Sequence, residues 1–209
     1  MDRPTRNLDA IAEDIREVLS ARDAAREKVL VVCRECIRHC STAIRAAHRQ
    51  ELDEARNLLR SARSLLDEAD RAAAEQVELT RAGYVRDAQK EYSEGRVLLA
   101  VIAGEELPTP EDLGVDPVSY LHGLGDAAGE VRRYLLDSMR KGDLSRGEEF
   151  LGVMDDIYSV LVTMDYPDAV TAGLRRATDM VRGVLERTRS DLTLTMRQGE
   201  LEKRLSEQG

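Results

Sequence analysis

The spacing of apolar residues limits this chain more than any other feature. Val29, Cys33, Cys36, Cys40, Ala43 and Ala47 recur every three or four residues, and Leu30, Ile37 and Ile44 widen the stripe. That rhythm places them on one face of an α-helix over residues 22 to about 49. Leu8, Ile11, Ile15, Val18 and Leu19 repeat in the same way and predict an earlier amphipathic helix. From Glu51 through Leu58, Leu59, Leu65, Leu66 and Ala69 to about Thr80 no Pro or Gly intervenes, so a third helix is expected there. Residues 81–103 form a fourth, stopped by Gly104. Pro108, Pro110, Gly114 and Pro117 then mark a loop. Asp116 followed by Pro117 reads as an N-cap with Pro at the first helical position, opening a helix that runs to Lys141 and closes at Gly142. Ser145 with Glu148 has capping-box spacing and opens another, ending near Asp165 before Pro167. Residues 168–190 and 191–207 supply the last two. Short connections between long helices describe an all-α fold, one domain over residues 1–209, built as an antiparallel bundle of about seven helices.

Composition agrees with that reading. The 209 residues include one Phe, six Tyr and no Trp, against the aromatic and β-branched usage of sandwiches and barrels. The longest apolar run, Val97 to Ala103, falls far short of the roughly 20 residues a membrane span needs. Met1 leads into Asp2, Arg3, Pro4, Thr5 and Arg6 with no apolar segment behind them, so a cytoplasmic address is expected. Cys33, Cys36 and Cys40 are an odd number within eight residues and make no disulfide scaffold. With His39 and His48 they invite a zinc site, but the thiols fall on the buried stripe, where free Cys is common. A ferritin-type di-iron site needs Glu-x-x-His pairs, whereas Glu35 and His39 are four apart.

The acids break the pattern. Glu91 sits seven residues after Tyr84 and seven before Leu98, in the middle of an apolar stripe, with Glu94 and Asp87 on its flank. Carboxylates that close cost free energy unless a proton or a cation is shared. An arginine from a facing helix answers that need, and so does a metal ion. Downstream, Asp126 and Glu130 share a face that periodicity assigns to solvent. Gly123, Gly125 and Gly129 lie beside them inside the helix, each costing about 0.5–1 kcal/mol relative to Ala, which implies that something packs close to that backbone.

Together, Glu91-Tyr92-Ser93-Glu94, the run Ser119-Tyr120-Leu121-His122-Gly123-Leu124-Gly125-Asp126-Ala127-Ala128-Gly129-Glu130-Val131-Arg132-Arg133 and the following Lys141-Gly142-Asp143 resemble the translin family, and within it the Trax-type subunit. The segments Leu30 to Glu35 and Ile44 to Arg49 look like that family's second helix, which ends in a His-Arg pair. Ala127 departs from the pattern, standing where Leu is usual. The resemblance implies that Glu91, Glu94, Asp126 and Glu130 bind Mg²⁺ or Mn²⁺. It also implies that the chain is an endoribonuclease acting inside a closed octameric shell. The alternative within the same resemblance is a non-catalytic shell that binds single-stranded RNA or DNA.

Binding RNA needs positive charge, which the chain concentrates against its net charge of −9. Residues 22–49 carry seven Lys and Arg against three acids, a local +4, and residues 174–189 carry five Arg against two, a local +3. Arg34, Arg38, Arg45, His48 and Arg49 are the expected phosphate contacts. If they are, log affinity falls linearly with log salt.

Overall fold

The computed structural model describes residues 4–73 and 82–207. Eight helices are found among the described residues, and no strand: α1 Leu8–His48, α2 Leu52–Ala73, α3 Gly83–Ala103, α4 Pro110–Leu113, α5 Pro117–Arg140, α6 Gly147–Val162, α7 Asp168–Thr171 and α8 Leu174–Ser206. The all-α expectation holds.

Two expected breaks do not occur. The helices expected over residues 8–19 and 22–49 are a single helix of 41 residues, and residues 174–206 are one helix of 33. Neither junction, Ser20-Ala21-Arg22 or Ser190-Asp191, holds a Pro or Gly to interrupt the backbone ladder. The end of the helix expected to Thr80, and the start of the next at residue 81, lie outside the described residues. Ser145 does not cap α6 through Glu148. Its hydroxyl donates to Asp143 Oδ1 at 2.7 Å instead, and α6 starts at Gly147. Asp116 does cap α5, its Oδ2 accepting from the backbone N–H of Val118 and Ser119 at 3.0 and 3.3 Å. Inside the 104–117 loop, Thr109 and Asp112 form a capping box that starts the short α4.

The helices pack as two layers about a central pair. α3 and α5 lie against each other; α1 and α2 cover α3, and α6 and α8 cover α5. α1 and α2 run antiparallel, with Lys28 Nζ 3.9 Å from Glu68 and Cys36 Sγ donating to the Ala62 carbonyl at 3.6 Å. All three thiols are buried, as the stripe requires, and burial pushes the Cys33 thiol up to about 12. One contiguous core runs from Val29 of α1 to Leu185 of α8.

α1 is not buried throughout. From Leu8 to Lys28 none of its residues is buried, and Leu8, Ile11, Ile15, Val18 and Leu19 are exposed. This arm extends about 30 Å at 1.5 Å per residue. Periodicity there marks a helix but not a core, because a stripe reports a shape and not whether the same chain covers it.

Candidate functional site

The site begins with one close approach. A Cβ on Gly123 would lie 2.6 Å from Ser93 Cβ, 2.8 Å from the Lys90 carbonyl oxygen and 3.0 Å from the Glu94 backbone nitrogen. Only glycine lets α5 come that near α3. The other two helix glycines differ: Gly125 meets Ala177 at an ordinary 3.5 Å, and Gly129 has nothing within 4 Å. Of the three, the close contact inferred from sequence belongs to Gly123 alone.

Gly123 carries Asp126 one turn further along α5, beside Lys90, Glu91 and Glu94 of α3. Glu130, another turn on, reaches the C-terminal end of α1. All four acids expected from the family resemblance are therefore gathered where α1, α3 and α5 meet. Their burial is the reverse of the sequence reading: Glu94 is the buried acid, at 9% exposure, while Glu91 is only half-buried. Asp126 and Glu130, assigned to solvent by periodicity, are half-buried as well. Asp87 is exposed and stands apart.

The charges respond to one another. Burial first, then the Glu91, Asp126 and Glu130 carboxylates, push the Glu94 carboxyl up to about 8, and Lys90 offsets part of the rise. Lys90 Nζ lies 2.8 Å from Asp126 Oδ2 and 3.6 Å from Glu91 Oε1. His48 Nε2 lies 2.5 Å from Glu130 Oε2, and that hydrogen bond holds the Glu130 carboxyl below the usual range against the opposing effect of burial. His48 Nδ1 is buried with no hydrogen-bond partner among the described residues. Beneath the acids, the Cys40 thiol is pushed up by its hydrogen bond with Cys36, by burial and by the nearby Glu91 and Glu94 charges. As the side chains stand, no three His, Cys, Asp or Glu among the described residues form a set that could hold a metal ion. Lys90 engages Asp126 and His48 engages Glu130.

The structure thus adds Lys90, for which the sequence holds no signal, and moves His48. The His48 side chain is 7% exposed and turned onto Glu130, so it is an inward partner of an acid rather than a surface contact for phosphate. The four arginines remain outside. At about 100° per residue they fall within roughly 60° of one another on α1, on the flank next to His48. Arg38 pairs with Glu35, and Arg49 Nη2 lies 2.5 Å from Glu51. Arg34 and Arg45 are exposed and have no carboxylate partner among the described residues; Arg45 donates to Thr42 Oγ1 at 2.9 Å. The second basic segment is largely compensated: Arg175, Arg182 and Arg189 lie 3.6, 3.2 and 2.9 Å from Asp165, Asp179 and Asp155. No helix among the described residues is long and apolar enough to cross a membrane.

No family model matches the chain. It is similar to an uncharacterized protein of Methanocaldococcus jannaschii, 30% identical over 176 residues that cover 83% of this chain and 78% of the relative. Among solved structures, AfC3PO in complex with duplex RNA is 34% identical with a TM-score of 0.79, covering 88% of this chain and 96% of that one. AfC3PO alone is 35% identical over the same shares, with a TM-score of 0.78. Apo-NeC3PO, at 19% identity and a TM-score of 0.77 over 93% of this chain and 99% of its own, shares the fold. C3PO is the translin/Trax-type complex. With the Gly123 crossing, the gathered acids and these relatives in view, the chain belongs to the translin family.

Proposed function

We infer that this chain binds RNA and cleaves its phosphodiester bonds with the help of a divalent cation, as a subunit of a closed octamer. The observation that carries the reading is Glu94, a buried carboxyl pushed up to about 8 in the company of three more carboxylates. Such a cluster favours positive charge, and its donors are the hard oxygens that Mg²⁺ and Mn²⁺ accept, so the donor set suits the ion, although Lys90 and His48 engage two of its members. Glu91, Glu94, Asp126 and Glu130 would hold it. When bound, the ion supplies neutralisation of a substrate phosphate and acidification of a water molecule. The chain's own groups do the rest. His48 keeps Glu130 ionised by donating to Oε2, which leaves Oε1 to take a proton from water. Glu94, once ionised, is the other candidate for that proton.

Arg34 and Arg45, exposed and without acidic partners among the described residues, meet the RNA backbone, with Arg38 and Arg49 on the same face. The likeness to AfC3PO, solved with duplex RNA, supports this part of the reading. Replacing any one of these arginines by Ala should lower the log-log salt slope by about 0.9 for each duplex phosphate that it neutralises.

The test is incubation of a labelled RNA with Mn²⁺ and with chelator, using the wild type, Glu91→Gln and Asp126→Asn. Cleavage by the wild type in Mn²⁺, lost in chelator and reduced by two or more orders of magnitude in both helical variants, is expected. Full activity in either variant at saturating metal ends the assignment. A second reading, RNA binding without cleavage, is favoured by the engagement of Asp126 and Glu130 with Lys90 and His48. It predicts salt-sensitive RNA binding and intact substrate under every metal condition.

A further inference from the structure

Lys90 has no part in the chemistry proposed for the acids, yet it sits among them. Its ammonium lies 2.8 Å from Asp126 and 3.6 Å from Glu91. Its main-chain oxygen is fixed against Gly123, so the stem starts from a rigid point. The side chain is 30% exposed, and a flexible four-carbon stem with a compact charge at its end can swing outward where a guanidinium fork would be held by its geometry.

We propose that Lys90 is a built-in competitor for the divalent cation: its ammonium fills the cation position between α3 and α5, and a metal enters only as Lys90 leaves Asp126. The inference rests on the proposal that the four acids form a metal site. One ammonium supplies one charge, whereas Glu91, Glu94, Asp126 and Glu130 can carry four, so the lysine balances the cluster only in part and a divalent ion has something to gain by replacing it. Because the site is open to metal only in the fraction of molecules whose lysine has moved away, the apparent affinity is reduced by that fraction. The cluster therefore stays partly compensated at low metal and takes up the ion above a threshold set by this residue.

The experiment is Mn²⁺ binding by the full chain without RNA, followed through the electron paramagnetic resonance signal of free Mn²⁺, for the wild type, Lys90→Gln and Lys90→Arg. Removing the charge should tighten Mn²⁺ binding by about tenfold or more, and Arg should leave it at or below the wild-type affinity. If the wild type binds Mn²⁺ and Lys90→Gln binds equally or more weakly, the competitor role is overturned while the metal site stands. If neither protein binds Mn²⁺ at millimolar concentration, the metal site and this inference fall together. A measurement on the unaltered protein guards against a variant that misfolds. Acetylation of the Lys90 amine by a limiting N-hydroxysuccinimide ester, read by mass spectrometry, should accelerate when Mn²⁺ is added. An unchanged rate overturns the proposal.

Discussion

The acids of α3 and those of α5 face one another across the Gly123 contact, yet their surroundings treat them differently. On α5, Asp126 lies against the Lys90 ammonium and Glu130 against His48, and Glu130 is held below its usual range. On α3, Glu94 has no such partner among the described residues. It is the most buried of the four and is pushed up to about 8. A carboxylate cluster of this kind is not uniformly strained: the cost of charging it falls on one buried carboxyl, which keeps its proton and which an added cation would help to ionise. The difference comes from the elements that meet at the site. α5 is reached by the end of α1 and by a lysine of α3, while Glu94 is buried.

Forcing the two rows apart should have the largest effect. Gly123→Ala puts a methyl group 2.6 Å from Ser93 Cβ and 2.8 Å from a carbonyl oxygen, and the helices must separate. A loss of about 3 kcal/mol in urea unfolding is expected. Gly129→Ala, with open space around it, should instead add about 0.5–1 kcal/mol. Equal effects at the two positions would mean that the crossing is not held by its backbone contact.

The next effect concerns the α3 side alone. Glu94 keeps its proton in the folded chain to about pH 8 but only to about 4.5 when unfolded, so between those values the folded state holds the extra proton. Stability must then fall as pH rises through that window, by at most about 1.4 kcal/mol per pH unit. Thermal unfolding of Glu94→Gln should match the wild type near pH 5 and exceed it by about 2 kcal/mol at pH 6.5. Identical pH profiles would show that Glu94 is not the group that keeps its proton.

The α5 side should respond in the opposite direction and more weakly. The Glu130 carboxyl is depressed in the folded chain, so its contribution is present above the unfolded pKa and is lost as pH falls through the folded one. His48→Ala should therefore cost about 1 kcal/mol more at pH 7 than at pH 3, measured by denaturant unfolding at both. A destabilisation that does not change with pH would reduce the pair to packing.

Much of the fold is legible in local signals. Asp116-Pro117, Gly104 and the Pro-rich loop place α5 and the end of α3 because each acts through its own backbone. The two expected breaks in α1 and α8 have no such signal, since neither junction holds a Pro or Gly to interrupt the backbone ladder. The acids themselves are legible through family motifs, but their environments are not. α3 is buried on most sides from Gln89 to Ile102, so no single stripe exists to rank Glu91 against Glu94. Lys90 looks like an ordinary surface residue in sequence, and His48, expected there as a phosphate contact, turns inward. Their partners belong to another helix, and nothing local encodes a contact made at 36 or 82 residues' separation, as between Lys90 and Asp126 or His48 and Glu130.

The bare position at Gly123 also bears on how the molecule tolerates change. Because peptide atoms rather than rotamers set the gap between the two rods, the span across which the oxygens face each other does not depend on which aliphatic residues fill the neighbouring layers. Those layers are free to be rewritten over time, provided that this one site never acquires a side chain.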